Sequence, residues 1–297
     1  MKVVYSPAYE IDLGGHVWPI AKYRLIAERL LASGLVGDAA FVVPVPCTWD
    51  GLALVHRSEY LDKVRTCALT PAEIQTLELP LSPALVDGFR TMAGGTCDTG
   101  RLALEDGAAI HLGGGLHHGF PNHGEGFCLF NDVAVAIRRL QRDGRIHRAA
   151  VVDCDVHHGN GTATIFERDP SVFTFSIHQQ HNYPLFKPAS DLDIGLEDGT
   201  GDEEYLRRLG PALARAVASK PDVTFYLAGA DPFREDRLGG LALTLEGLRE
   251  RDRQVFAAAR AAGVPVAVVL AGGYALDVED TVAIHIATVE EVLSVCE

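Results

Sequence analysis

The chain has no basic run. Its 26 lysines and arginines are outnumbered by 40 aspartates and glutamates, which leaves a formal charge of −14 at pH 7. Nucleic acids are held by clustered Lys and Arg, so direct nucleic-acid binding is not expected. Also missing is any stretch near 18 uninterrupted apolar residues, so no transmembrane helix and no membrane partner are expected. The opening Met1-Lys2-Val3-Val4-Tyr5 lacks the longer apolar run of a secretory signal and reads as a first strand. Six cysteines are scattered without a Cys-x-x-Cys pair, which predicts reduced thiols and a cytoplasmic protein. No internal repeat, low-complexity segment or long linker divides the 297 residues. One domain over 1–297, large enough to bury a substantial core, is the expectation.

What is present is an alternation of apolar strand-like runs with helical patterns. Strands are predicted over Lys2–Tyr5, Ala108–Leu112, Ala149–Asp153, Val172–Ile177, Val223–Ala228 and Pro265–Ala271. Helices are predicted over Ile20–Ala32, Leu85–Leu104, Val133–Asp143, Glu203–Ala218, Thr244–Ala262 and Val278–Val295. This is the pattern of a single-domain α/β fold, a mostly parallel twisted sheet with helices on both faces. Leu206, Leu209 and Leu213 fall at helical spacing and should pack on the sheet. Gly210-Pro211 is expected to kink or split that helix. The stretch from Gln179 to Gly201 is the longest irregular segment and Pro121 to Glu125 a shorter loop; both are expected to border a pocket mouth.

The chemistry concentrates where strands end. Asp153-Cys154-Asp155-Val156-His157-His158-Gly159-Asn160 follows the apolar run Ala149–Val152. Carboxylates and imidazoles there are costly to bury unless paired or coordinated. On an extended backbone Asp155 and His157, two apart, point the same way. An oxygen and a nitrogen ligand together suit Zn²⁺ or Fe²⁺. Asp153 shares their parity and is a candidate to orient an imidazole or bind another cation. Cys128 and Cys154 lie inside this region.

Three more clusters follow strand candidates. The glycine run Gly113-Gly114-Gly115 leads into His117-His118, which in a loop can line one pocket, and glycine there permits tight turning and close approach. Gly126-Phe127-Cys128 lies beyond. Asp231 ends the run Leu227-Ala228-Gly229-Ala230 and is a candidate third ligand. Gly272-Gly273-Tyr274 follows Val268–Ala271. Four polar clusters at four strand ends point to one site, because open α/β sheets bind ligands at that edge.

Together these motifs resemble the histone deacetylase family, over nearly the whole chain from Val4-Tyr5-Ser6-Pro7 to the final helix. Within it they are most similar to class IV, through Arg90-Thr91, Gly94-Gly95-Thr96, Gly113 to His118, Gly124 to Cys128, and Gly229-Ala230-Asp231 followed by Asp236 to Leu241. Arginases share the fold, but their two-manganese site needs an Asp/His arrangement that the octet lacks. The resemblance implies the arginase/deacetylase fold. It also implies a zinc-type, metal-dependent hydrolase that cleaves the non-peptide C–N amide bond of an acyl-lysine peptide or protein. The alternative substrate is a small acylated amine such as an acetylpolyamine.

Residue by residue, the resemblance implies Asp155, His157 and Asp231 as ligands of Zn²⁺, with Fe²⁺ possible. His118 is the expected general base, later giving its proton to the leaving amine. His117 is its partner, held by Asp153, and Asn160 faces His118. Where some members carry aspartate, the neutral Asn160 biases His118 less toward its charged form. Tyr274 matches the tyrosine that donates to the developing oxyanion, and the preceding glycines let its ring swing in. Gly126, Phe127, Tyr183, Leu238 and Gly273 would face the substrate, with Phe127 and Tyr183 as aromatic walls. Ser176-Ile177-His178 fits the segment that, with the carbonyls of Asp153, Asp155 and His157, holds a structural K⁺. Lys22 stands where many members carry arginine near an internal acetate-exit channel, and lysine lacks the bidentate fork. Leu238 sits near the acidic gatekeeper of acetylpolyamine-selective members, which argues against a polyamine. No counterpart of the family's rim aspartate is evident. Some class IV members prefer long fatty acyl groups; Gly113, Gly114, Gly115, Gly272 and Gly273 at the foot of the pocket would leave room for one.

Overall fold

The structure, a computed structural model, describes residues 1–296. Its strands are β1 (Lys2–Val4), β2 (Phe41–Val42), β3 (Ala108–His111), β4 (Ala149–Asp153), β5 (Val172–Gln179), β6 (Leu192–Leu196), β7 (Val223–Leu227) and β8 (Val266–Val269). They form one sheet in the order β2-β1-β3-β8-β7-β4-β5-β6, every pairing parallel. Successive residues of the strands go to opposite faces. Val4, Ala109, Val151, Phe225 and Ala267 join one buried cluster, while Val3, Ile110, Val152, Tyr226 and Val268 join the other. Burial on both faces is why these strands read as continuous apolar runs rather than alternating ones.

The helices are α1 (Lys22–Ser33), α2 (Trp49–Leu52), α3 (Ser58–Arg65), α4 (Pro71–Leu77), α5 (Pro83–Asp106), α6 (Asp132–Arg142), α7 (Asn160–Phe166), α8 (Asp202–Ala218), α9 (Leu245–Ala262) and α10 (Val278–Cys296). Helices α5 and α6 cover the first face, through Phe89, Met92, Val133 and Ile137. Helices α1, α8, α9 and α10 cover the second, through Leu30, Tyr205, Phe256 and Val289. No helix among the described residues is long and apolar enough to cross a membrane.

Three expectations change. The stretch from Gln179 to Gly201 is not wholly irregular, because β6 lies within it and β5 runs on to Gln179. β6 is an edge strand whose apolar Leu192, Ile194 and Leu196 alternate with Asp193 and Gly195 and stay mostly half-exposed, so its composition reads as loop. Helix α8 is not split at Gly210-Pro211 but runs through Pro211. Both residues are exposed, as is Arg207 one turn earlier, so the carbonyl deprived of its donor can meet water. The two-residue β2 and the short α2, α3, α4 and α7 are too brief to show a period and were not anticipated.

Candidate active site

Strands β3, β8, β7 and β4 are consecutive neighbours in the middle of the sheet. His117-His118 follow β3, Tyr274 follows β8, Asp231 follows β7, and Asp155 with His157 follow β4. Adjacency in the sheet therefore turns four separated sequence clusters into one, at the carboxyl edge where such sheets bind ligands. A cavity of about 200 Å³ opens there, and His117, His118, Asp155, His157 and Tyr274 are among its lining residues.

Asp155, His157 and Asp231 are buried, and one ligand-type atom from each lies within 4.8 Å of the others. His157 Nδ1 is 3.1 Å from Asp155 Oδ1 and 3.4 Å from Asp231 Oδ2. Strand parity does not bring Asp155 and His157 together, because β4 ends at Asp153. The chain bends instead, and Asp155 Oδ1 accepts from the backbone N–H of His157 at 2.9 Å, a local side-chain turn that folds His157 back. Asp231 Oδ1 accepts from Val156 N at 2.9 Å, and Asp155 Oδ2 from Gly272 N at 2.8 Å. Gly272 is obligatory at this approach, since a Cβ would sit 2.0 Å from Asp231 Oδ2. That Oδ2 is buried and accepts no hydrogen bond. Burial, then repulsion from Asp155, raises the Asp231 carboxyl to about 7. Burial opposes charge on His157, yet Asp155 and Asp231 raise it to about 10. Against its own burial, Asp155 is held well below the usual carboxylate range by His117 and His157. A bare buried oxygen beside a second carboxylate and an imidazole is a donor set that fits one divalent cation.

A hydrogen-bonded row runs beside these groups. Asp153 Oδ2 lies 2.7 Å from His117 Nδ1, and His117 Nε2 lies 3.1 Å from His118 Nε2. His118 Nδ1 is 2.7 Å from Asn160 Oδ1. Burial works against a charged His117, but Asp153 and Asp155 raise it to about 9. His118 is driven the other way, well below the ordinary histidine range, by burial and then by His117 and His157. The loop carrying the pair is fixed by α6. Asp132 Oδ2 and Oδ1 accept from Gly115 N at 3.0 Å and Leu116 N at 2.7 Å. Asn131, which caps the helix at Ala134 N, also donates to Gly119 O at 3.3 Å and Thr162 Oγ1 at 3.0 Å.

The walls are aromatic. Phe127 stacks against Trp18 with ring centroids 6.2 Å apart, and Tyr274 meets Phe127 edge-on at 6.1 Å. Tyr183 stands edge-on to His118 at 5.0 Å. Gly126 and Leu238 also line the cavity. The Tyr274 hydroxyl is pushed well above 10 by burial and by Asp155 and Asp231, so it stays protonated and able to donate. One carboxylate positions two of these walls, since Asp236 accepts from Tyr274 N at 2.6 Å and Leu238 N at 2.8 Å. Gly114, Gly115 and Gly272 line the cavity, but Gly113 and Gly273 do not. Gly113 packs toward His111 and Tyr9, and the Gly273 carbonyl turns to Lys22. Lys22 is fully buried, its Nζ 3.1 Å from Ala271 O and 5.7 Å from the Tyr274 ring centre. Burial lowers its ammonium to about 8. Ser176, opposite Asp153 across β4 and β5, has its hydroxyl 2.9 Å from His178 Nδ1; Ile177 beside it is buried in the second core cluster.

Trp18 and Glu78 line the cavity outside every expected segment, and Asn182 lines it from the Gln179–Gly201 stretch expected to border the pocket mouth. Each comes from a connection without periodicity, and only the scarcity of tryptophan, two in the chain, could have drawn attention to Trp18.

A family model of the histone deacetylase domain matches residues 16–289. An uncharacterized protein of Picosynechococcus sp. is 43% identical over 285 residues, covering 95% of both chains. Histone deacetylase 2 of Arabidopsis thaliana is 31% identical over 288 residues, covering 92% of this chain and 74% of that one. The crystal structure of the HDA15 HD domain superposes with a TM-score of 0.81 at 26% identity, over 99% of this chain and 91% of the other.

Proposed function

The chain belongs to the histone deacetylase family, and on that premise we propose that it is a metal-dependent hydrolase removing a short acyl group from a lysine side chain, with residues 1–297 acting as one catalytic domain of the class IV kind. The observation that carries this reading is the buried Oδ2 of Asp231, which accepts no hydrogen bond and lies beside Asp155 and His157, two residues that line a cavity with His118 and Tyr274. Zn²⁺ or Fe²⁺ held by Asp155, His157 and Asp231 would, when bound, polarise the substrate carbonyl and acidify the attacking water. A K⁺ held by the carbonyls of Asp153, Asp155 and His157 with Ser176 and Ile177 would tie the ends of β4 and β5 together.

The protein groups do the rest. His118, kept neutral by its surroundings, takes a proton from water as oxygen attacks the acyl carbon. Tyr274 donates to the oxygen that becomes negative, an effect worth roughly 2.7–4 kcal/mol per donor. As the C–N bond breaks, His118 returns the proton to the amine, giving a carboxylate and a free lysine. His117, raised to about 9 and paired with Asp153, keeps positive charge beside the reacting centre. Phe127, Trp18 and Tyr183 hold the aliphatic stem between rings.

The acyl group is short. The cavity of about 200 Å³ is smaller than the roughly 300–1,000 Å³ of sites that enclose drug-sized ligands, and the Lys22 ammonium lies beneath Tyr274. The cavity's size supports this reading over the long-chain one that the glycines suggest. A second reading, a small acylated amine, draws on Glu78, whose exposed side chain on the cavity wall could meet a remote ammonium. One panel separates the readings: acetyl-, propionyl- and myristoyl-lysine on a single peptide beside acetylated polyamines. Acetyl-lysine should have the highest kcat/KM, and acetylpolyamines exceeding it tenfold would replace the first reading by the second.

A further inference from the structure

We propose that Glu125 is a positioning residue which, through Asn160, holds His118 in the tautomer carrying hydrogen on Nδ1 and so keeps the ring's lone pair on Nε2, the nitrogen 3.1 Å from His117 Nε2. The inference rests on His118 being the general base and deepens that reading. Glu125 is half-buried between the loop after β3 and the cavity rim. Its Oε1 accepts from Asn160 Nδ2 at 2.7 Å and from the Tyr183 hydroxyl at 2.8 Å. An ionised carboxylate has no hydrogen to give, so the end of the Asn160 amide that meets it is the NH₂ end. The opposite end, Oδ1, then faces His118 Nδ1 at 2.7 Å and also accepts from the Gly161 N–H at 3.0 Å. A carbonyl oxygen only accepts. The hydrogen of the neutral ring is therefore on Nδ1, and the lone pair is on Nε2.

An amide is nearly the same shape after a half-turn. Without an acceptor at position 125, Asn160 can present its NH₂ to His118 Nδ1, which favours hydrogen on Nε2 and removes the base. The Gly161 N–H resists that turn, so loss of Glu125 gives a mixture rather than a clean inversion. The same carboxylate oxygen fixes Tyr183, which meets His118 edge-on because Gly126 has no side chain; a Cβ there would lie 2.9 Å from both His118 Cδ2 and Tyr183 Cε1. One acidic side chain thus orders a substrate wall and sets the hydrogen of the base.

The test reads the tautomer directly, by ¹⁵N NMR of histidine-labelled protein as purified, with the His118 signals identified by their loss in His118→Gln. The wild type should show a protonated Nδ1 and a bare Nε2. In Glu125→Ala the two shifts should converge as tautomers mix, and kcat should fall about tenfold or more. Glu125→Gln, whose side-chain oxygen can still accept from Asn160, should recover most of both. Tyr183→Phe should raise KM and leave the His118 shifts unmoved. A wild-type ring protonated on Nε2 overturns the proposal even if no variant folds. So do unmoved shifts in Glu125→Ala, or a Glu125→Gln as impaired as Glu125→Ala, which would make charge rather than orientation the cause. A fully active His118→Gln would instead sink the base assignment and leave the tautomer result standing.

Discussion

Asp231 and Asp252 are both buried and lie in one domain, yet they are built for opposite ends. Asp252 is surrounded by donors. Its Oδ1 accepts from the Tyr226 hydroxyl and from Arg251 Nε at 3.0 Å, and its Oδ2 accepts from Thr288 Oγ1 at 2.6 Å. Arg251 in turn donates to the Gly229 carbonyl at 2.5 Å, just behind the strand end that carries Asp231. Asp231 has one backbone donor and one bare oxygen. A buried carboxylate with charge and hydrogen bonds matched is a structural joint. One left short of donors, beside a second carboxylate, costs stability that a cation or a proton returns. In this fold the matched cluster sits under the sheet and the unmatched carboxylate lies beside Asp155 and His157 at the cavity, so the first supports the second.

Breaking each cluster should therefore give different deficits. The largest effect expected on the cavity side is His118→Ala, which removes both proton transfers; activity should fall by about 10³-fold or more while the thermal midpoint stays near wild type. If His117→Ala proved far worse than His118→Ala, the two roles would be exchanged. Across the sheet, Arg251→Met should do the reverse, leaving Asp252 without its cation and lowering stability by roughly 3–5 kcal/mol in a urea titration. A variant as stable as wild type would show that the cluster under the sheet is not the joint described.

Tyr274→Phe is gentler and sharper. It removes one hydroxyl from the cavity, and kcat should drop roughly 10²–10³-fold with fold and bound metal retained. The smallest effect comes from a third buried group, His111, whose ring nitrogens lie 3.0 Å from Thr96 Oγ1 and 2.7 Å from Tyr9 Oη. Burial lowers it to about 3. The unfolded chain takes up that proton from about pH 6.5 downward and the folded one does not, so stability falls as pH drops through this window. Between pH 6.5 and 5 the loss from this residue is about 2 kcal/mol. Unfolding free energies of wild type and His111→Asn from urea titrations should converge by that amount over the same interval; a gap independent of pH would refute the assignment.

Much of this was legible in the residues, for physical reasons that also mark the limits. Strands buried on both faces are long apolar runs, so β4 and β7 stand out, and the polar residues that follow them stand out by contrast. Their convergence follows from a parallel sheet, whose strands all end on one side. The details of Asp155 and His157 depended on a side-chain turn, and no strand period contains that. β6 was hidden because an edge strand is half wet. Trp18 and Glu78 reach the cavity from aperiodic connections, so nothing local marks them, whereas Asn182 lies in the long stretch whose length already pointed to the pocket mouth. Gly113 and Gly273 looked like pocket-floor residues by their neighbours in sequence, whereas Tyr9 and Lys22, distant in sequence, help decide where they face. Glu125 was visible within its motif, but its link to His118 runs through Asn160, 35 residues on.

The contrast between the two aspartates reduces to whether a metal completes the bare one. Elemental analysis after mild purification, paired with hydrolysis of an acetyl-lysine peptide, decides it. The expected result is about one Zn²⁺ or Fe²⁺ per chain, lost together with activity in Asp231→Asn and retained in folded Arg251→Met. Metal-free protein that hydrolyses the peptide at the full rate would contradict the account.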